Sequence, residues 1–168
     1  ALRGIYVFSV GANADIDNVN IANNILDGNS DGIQIRDILG GSHGSIDIKD
    51  NNIINSTGPS SGIRIRSGTS GTGLEIHQNH ITGNNIGLNH EGTGTLNATY
   101  NDWGDCEGPN VDGLGNPGSG DKIVNVTPVF FSPWLGICFP VKIDVQCAEQ
   151  SANATLSANV TSPFFNIS

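Results

Sequence analysis

Methionine is absent from the chain, Lys+Arg number only 7 against 16 Asp+Glu, and cysteine occurs three times. Without methionine the first residue is no initiator, so a processed chain or a fragment is expected. The shortage of basic residues leaves a formal net charge of −9. That removes the attraction behind most nucleic-acid binding and works against anionic membranes. No run of about 18 apolar residues occurs, so no segment reads as a membrane-spanning helix. All three cysteines lie beyond residue 100, too few and too widely spaced for a metal site. No cofactor is implied. Charged residues make up only 14% of the chain, but 36% hydrophobic content argues against wholesale disorder. The 168 residues allow one domain plus an appendage. Partners are expected among proteins, sugars and cations.

Composition changes near residue 100. Of 20 Ile, 16 lie before it; of 10 aromatics, 8 lie at Tyr100 or later, with both Trp and six of seven Pro. The Ile-rich part repeats. Segments opening at Val19, Ile46, Leu74 and Leu96 each begin with an apolar-x-apolar triplet. An Asn follows at Asn23, Asn51, Asn79 and Asn101, and an apolar residue two places on at Ile25, Ile53, Ile81 and Trp103. A second triplet recurs as Ile5-Tyr6-Val7, Ile33-Gln34-Ile35, Ile63-Arg64-Ile65 and Ile86-Gly87-Leu88. A period of two within each triplet means short strands with one buried face, punctuated by Gly, Asn and Ser. Units of 22 to 30 residues without a helical stretch fit the coils of a parallel β-helix, about four of them. Like side chains would then stack at about 4.8 Å, and an Asn column would hydrogen-bond along the stack. An antiparallel sandwich is the plainer alternative. It gives no reason for several columns in one common register.

The segment Asn97-Ala98-Thr99-Tyr100-Asn101-Asp102-Trp103-Gly104, followed by Gly108-Pro109 and later Ser132-Pro133-Trp134-Leu135, carries a family resemblance. It resembles the end of right-handed parallel β-helix repeat domains, pectin-lyase-like and NosD-like, of archaeal and bacterial surface proteins. Asp102 stands where that family usually has a first Trp. The resemblance spans roughly residues 4–136 and implies the fold and a cell-surface or extracellular location, not one activity. A closing segment of this kind would cap the stack, with Trp103, Phe130, Phe131 and Trp134 covering its apolar cross-section. The N-terminal end offers no such cap.

Beyond the cap, 141–147 and 154–161 alternate apolar and polar residues and read as strands. They form either a local hairpin or a donor strand that adds to the uncapped end of another copy, which would propagate a filament. The cysteines suit an oxidising compartment. Cys106 with Cys138, beside the two Trp, and Cys138 with Cys147 are rival pairings. Six Asn-x-Ser/Thr sequons occur, at Asn55, Asn97, Asn125, Asn153, Asn159 and Asn166. Pro128 after Thr127 makes Asn125 a poorer acceptor. Together they predict an exported glycoprotein.

The chemistry-bearing residues are sparse. The repeat projects Asn20, Asp47, Glu75 and Asn97 into one outward row, with Ala22, Lys49, His77 and Thr99 in the next. Asp47, Glu75 and His77 are the only catalytic or Ca²⁺-holding candidates. The ordinary reading of that row is a solvated face with compensating charges. Arg36 and Arg66 stack beside Gln34 and Arg64 on another strand face. His43, His80 and His90 read as loop or turn residues, and Asp15-Ile16-Asp17 lacks the remaining oxygen ligands of a Ca²⁺ loop. The expected organisation is therefore parallel β-helix coils over 1–110, a closing cap over 111–140 and a strand tail over 141–168. The expected role is non-enzymatic: a structural, self-assembling subunit of a filament or surface layer, its partners copies of itself, other surface proteins or glycans. The alternative is a carbohydrate-binding or polysaccharide-modifying domain.

Overall fold

The computed structural model describes residues 2–12, 14–38, 41–57, 59–111, 116–125 and 129–136, with the backbone alone at 116 and 117. The chain divides into two units, Ala1–Cys138 and Phe139–Ser168. The second unit lies outside the described residues, and with it both expected tail strands.

Every regular element among the described residues is a strand. In chain order they are β1 (Ile5–Val10), β2 (Asp15–Ile16), β3 (Val19–Ala22), β4 (Ile25–Asp27), β5 (Ile33–Ile38) and β6 (Ser42–His43). Next come β7 (Ile46–Lys49), β8 (Asn52–Ile54), β9 (Ile63–Ile65), β10 (Leu74–His77), β11 (His80–Thr82) and β12 (Leu88–His90). The last are β13 (Leu96–Asn97), β14 (Pro109–Val111), β15 (Asn116–Pro117), β16 (Gly120–Val124) and β17 (Val129–Phe130).

Apart from β14 and β15, these strands do not pair with their sequence neighbours. One sheet runs β1-β5-β9-β12-β16, extended by β14 and β15; a second runs β3-β7-β10-β13-β17; a third runs β4-β8-β11. All pairings in these sheets are parallel except β14 with β15. The chain visits β3, β4 and β5, then β7, β8 and β9, then β10, β11 and β12, returning each time to the strand beside its start. An antiparallel sandwich is excluded for this region, and the arrangement is compatible with a parallel β-helix.

Stacked columns of aliphatic side chains, mostly β-branched Ile and Val, form the core. Ile5, Ile33, Ile63, Leu88 and Ile123 align across five strands, and Val19, Ile46 and Leu74 across three. Ile33, Ile46, Ile48, Ile63, Ile76 and Leu88 are wholly buried. Each such side chain gains about 1.5–3 kcal/mol from leaving water, and β-branching suits the pleated surface.

Three expected positions differ. The asparagine column begins at Asn24, not Asn23, because Asn24 Nδ2 donates to Asn51 Oδ1 at 2.9 Å while Asn23 turns the corner at φ 59°. The apolar column beside it therefore starts at Leu26, paired with Ile53; Ile25 is 76% exposed. In the fourth row the inward triplet is Leu88-Asn89-His90, because Ile63 pairs with Leu88 and not with Ile86.

Two columns escaped the sequence reading. Gly4, Gly32, Gly62 and Gly87 precede the inward residues of successive rows. A Cβ on Gly32 would lie 2.6 Å from Gly62 O, and one on Gly62 would lie 2.8 Å from Gly87 O. The rows close to their spacing only because no side chain stands there. A second polar column links the Ser56 amide to Asn84 Oδ1 at 2.9 Å, and Asn84 Nδ2 to Asp121 Oδ2 at 2.6 Å.

Candidate functional site

The outward row forms as expected: Asn20 pairs with Asp47, Asp47 with Glu75, and Glu75 with Asn97, with Lys49 and His77 in the adjacent column. Strand alternation places all of them on the face opposite the buried Ile46, Ile48 and Ile76.

Their geometry shows what the row does. Lys49 Nζ donates to Asp47 Oδ2 at 2.7 Å, and His77 Nε2 lies 2.8 Å from Asp47 Oδ1. Asn97 Nδ2 donates to Glu75 Oε2 at 2.5 Å. Both oxygens of Asp47 are thus engaged, and Glu75 is held by the next strand. An acid–base catalyst needs a carboxyl with an oxygen aimed at an open position. Each Asp47 oxygen already meets a partner of its own face. The row instead cross-ties three strands and compensates their charge.

Partial burial pushes the Asp47 carboxyl upward, but the hydrogen bonds from Lys49 and His77 and the positive charge beside it prevail and hold it below the ordinary value. Asp121 is shifted the other way: burial raises its carboxyl despite the hydrogen bonds from Asn84. The two contribute to acid stability with opposite signs. The Asp47 contribution is present above the unfolded carboxylate pKa, near 3.8, and is lost as pH falls through the lower folded value. The Asp121 contribution is fully present below its unfolded pKa and is lost as pH rises through the raised folded value. Urea denaturation between about pH 2 and 6 is expected to show Asp47→Asn flattening the loss of stability toward acid. Asp121→Asn is expected to steepen it. Identical pH profiles for the two variants would contradict these assignments.

The histidines differ from their expected loop positions. His43 lies in β6, its side chain 1% exposed, with Nδ1 2.8 Å from Asp37 Oδ2. Asp37 Oδ1 also accepts from Ser9 Oγ at 2.9 Å. The carboxylate stands between Ser and His, so the imidazole cannot take the Ser9 proton, and this is no nucleophile–base pair. His90 lies in β12 opposite Ile65 and is buried. His80 opens β11, where Nδ1 lies 2.6 Å from Asp102 Oδ2 at the surface.

Of the residues expected to stack on that strand face, Gln34 lies opposite Arg64, and Arg64 and Arg66 converge on Glu91. Arg64 Nε and Nη2 reach Oε1 at 3.0 and 2.5 Å, and Arg66 Nη1 reaches Oε2 at 3.3 Å. Glu91 was not singled out in the sequence; a lone acid following a triplet gives no signal until the strands are in register. Asp17 Oδ1 accepts backbone N–H from Asn18 at 2.8 Å and Ser45 at 2.7 Å, which lowers its carboxyl. The described residues contain no group of three His, Cys, Asp or Glu able to hold a metal.

Of the four aromatic residues expected to cover the end, Trp103 is wholly buried, and Phe131 and Trp134 pack against the core. Trp134 lies on Gly108, where a Cβ would stand 2.5 Å from Cε2, and its Nε1 donates to Cys106 O at 3.2 Å. Phe130 does not cover the core. It pairs with Asn97 in the outward row and is 63% exposed.

A shallow, open depression of about 660 Å³ lies on this outward face, bordered by Glu75, Asn97, Thr99, Tyr100, Phe130 and Pro133. Three sequon asparagines lie among the described residues. Asn97 borders the depression; Asn55 and Asn125 sit exposed at turns with φ 58°, their Nδ2 groups donating to Asp27 and Asn89. Asn153, Asn159, Asn166, Cys138 and Cys147 lie outside the described residues. No protein-family model, curated protein or solved structure matches the chain.

Proposed function

We propose that the chain is a structural subunit of an extracellular or cell-surface assembly, a filament or surface layer. It is built as a short right-handed parallel β-helix, with Trp103, Phe131 and Trp134 capping one end. The observation that carries this reading is the opposite end. Among the described residues nothing pairs with the outer edges of β1, β3 and β4, and Ile5, Val7 and Val19 are only partly buried, whereas deeper members of their columns are fully covered. Three aligned strand edges over an incompletely covered core are a template for further strands. A strand from the tail of the next copy, within 152–168, supplies them, and the head-to-tail contact repeats without closing. A disulfide staple from Cys106 at the capped end, with Cys138 or Cys147 as partner, belongs to the same reading. A polysaccharide-modifying role for Asp47, Glu75 and His77 has less support, since these groups already hold one another and their neighbours.

Sedimentation velocity of the full chain and of residues 1–151, both unreduced, tests the reading. The full chain is expected to form a concentration-dependent series of large species that the shortened chain loses. Assembly that survives the shortening would remove the donor-strand mechanism; a full chain that stays monomeric at high concentration would remove the assembly role.

A further inference from the structure

Asn97-Ala98-Thr99 is the one described sequon set into a sheet face beside exposed aromatic rings. Ala98 is wholly buried, so strand alternation turns Asn97 and Thr99 outward together. Thr99 Oγ1 donates to Asn97 Oδ1 at 2.9 Å, and the Thr99 amide approaches the same oxygen at 3.3 Å. One hydrogen of Asn97 Nδ2 goes to Glu75 Oε2; the other is left for substitution. Within the same depression stand Tyr100, 52% exposed, and Phe130, 63% exposed, with the hydroxyls of Thr72 and Ser132 at its border.

We infer that Asn97 carries an N-linked glycan whose first sugar lies in this depression, a ring face against Tyr100 and Phe130. The inference rests on the expectation, drawn from the sequons, of an exported glycoprotein and selects one acceptor. Pyranose rings present an apolar C–H face that packs on aromatic rings, while their hydroxyls require partners such as Thr72 and Ser132. The sequon at the edge of this exposed aromatic surface supplies an occupant that is tethered in place. The Glu75 carboxylate in the wall disfavours an acidic sugar, so the first residue is an uncharged pyranose. Attachment forms a bond between Nδ2 and the anomeric carbon of a phosphate-activated glycosyl donor. The carbon–oxygen bond to phosphate breaks, the phosphate departs with the electron pair, and the displaced amide proton passes to a base of the transferring enzyme. Nδ2 keeps one hydrogen, so its bond to Glu75 survives. The depression near Asn55, bordered by Thr57, Pro59, Gly83, Asn84 and Asn85, has no aromatic ring. A glycan there would have no seat.

Trypsin releases residues 67–122 as one peptide in which Asn97 is the single sequon. Mass spectrometry of reduced, digested protein from a host with N-glycosylation machinery is expected to show sugar mass on that peptide. Proton NMR of the intact glycoprotein is expected to show the first sugar's ring protons shifted upfield relative to the isolated glycopeptide. Tyr100→Asn combined with Phe130→Thr should abolish that shift; Asn suits the left-handed backbone of position 100, at φ 56°. Sugar on Asn55 or Asn125 but not on Asn97 would overturn the inference and leave the glycoprotein reading standing. No sugar at any sequon would remove both, and sugar on Asn97 with unshifted protons would overturn the seat.

Discussion

Asn79→Ala is expected to cost about 3–5 kcal/mol of folding stability, although it removes a small polar side chain at a turn. Asn79 is 1% exposed and every polar atom of its side chain is in use. Its Oδ1 accepts from the Asn51 amide at 3.1 Å and from Asn51 Nδ2 at 2.9 Å. Its Nδ2 donates to Ile48 O, His77 O and Asn101 Oδ1 at 2.9, 3.0 and 2.9 Å. Truncation to Ala leaves the Asn51 amide without an acceptor and two backbone carbonyls short of a donor, inside the stack where water cannot substitute. Each buried orphan costs about 1–3 kcal/mol. The corner is also strained: Gln78, just before the ladder, holds φ 57°, as do Asp50 and Tyr100 at 54° and 56° in the neighbouring rows. Such left-handed residues persist only where surrounding bonds fix them. Asn24→Ala is the control. Asn24 ends the column and is only half-buried, so its loss is expected near 1 kcal/mol. Urea denaturation curves measure both, and equal small losses would contradict the ladder.

Trp103→Ala is expected to cost a similar 3–5 kcal/mol, through packing instead of hydrogen bonding. Trp103 is the largest fully buried side chain, and a β-bridge between His80 and Asp102 carries the register of Leu26, Ile53 and Ile81 up to it. Its backbone oxygen accepts from the Asp121 amide at 2.7 Å. The indole therefore completes a core column and fixes the approach of β16. Its Nε1 is buried with no partner among the described residues, so no described contact lets the N–H add to stability. Trp103→Phe keeps a ring and discards that orphan, and is expected to cost less than half as much as Trp103→Ala. Equal costs for the two would mean that the N–H, and not the ring, matters.

The inward columns were legible because isoleucine alternation has a period only a strand can use, and because Asn51, Asn79 and Asn101 fall at one offset. The first row misled because Asn23 and Asn24 are adjacent. Only the left-handed turn decides which of them faces in, and composition does not encode that choice. In the fourth row, apolar alternation runs from Ile86 through Leu88, so a shift by two residues leaves the pattern intact. The register is fixed instead by Gly87, the fourth glycine to precede an inward residue, a signal present in the sequence but subtler than hydrophobicity. The outward row was placed correctly from alternation, but its chemistry was not legible. That His77 reaches Asp47, or that Arg64 reaches Glu91, depends on side chains meeting across strands 30 and 27 residues apart.

In the proposed assembly, copies join at the open strand edges of β1, β3 and β4. Electron microscopy of the concentrated, unreduced full chain tests this most directly. Filaments are expected whose axial repeat is set by the seven strands of the longest sheet at about 4.8 Å each, roughly 34 Å plus the donated strand. Discrete particles of single-chain size, unchanged by concentration, would contradict it.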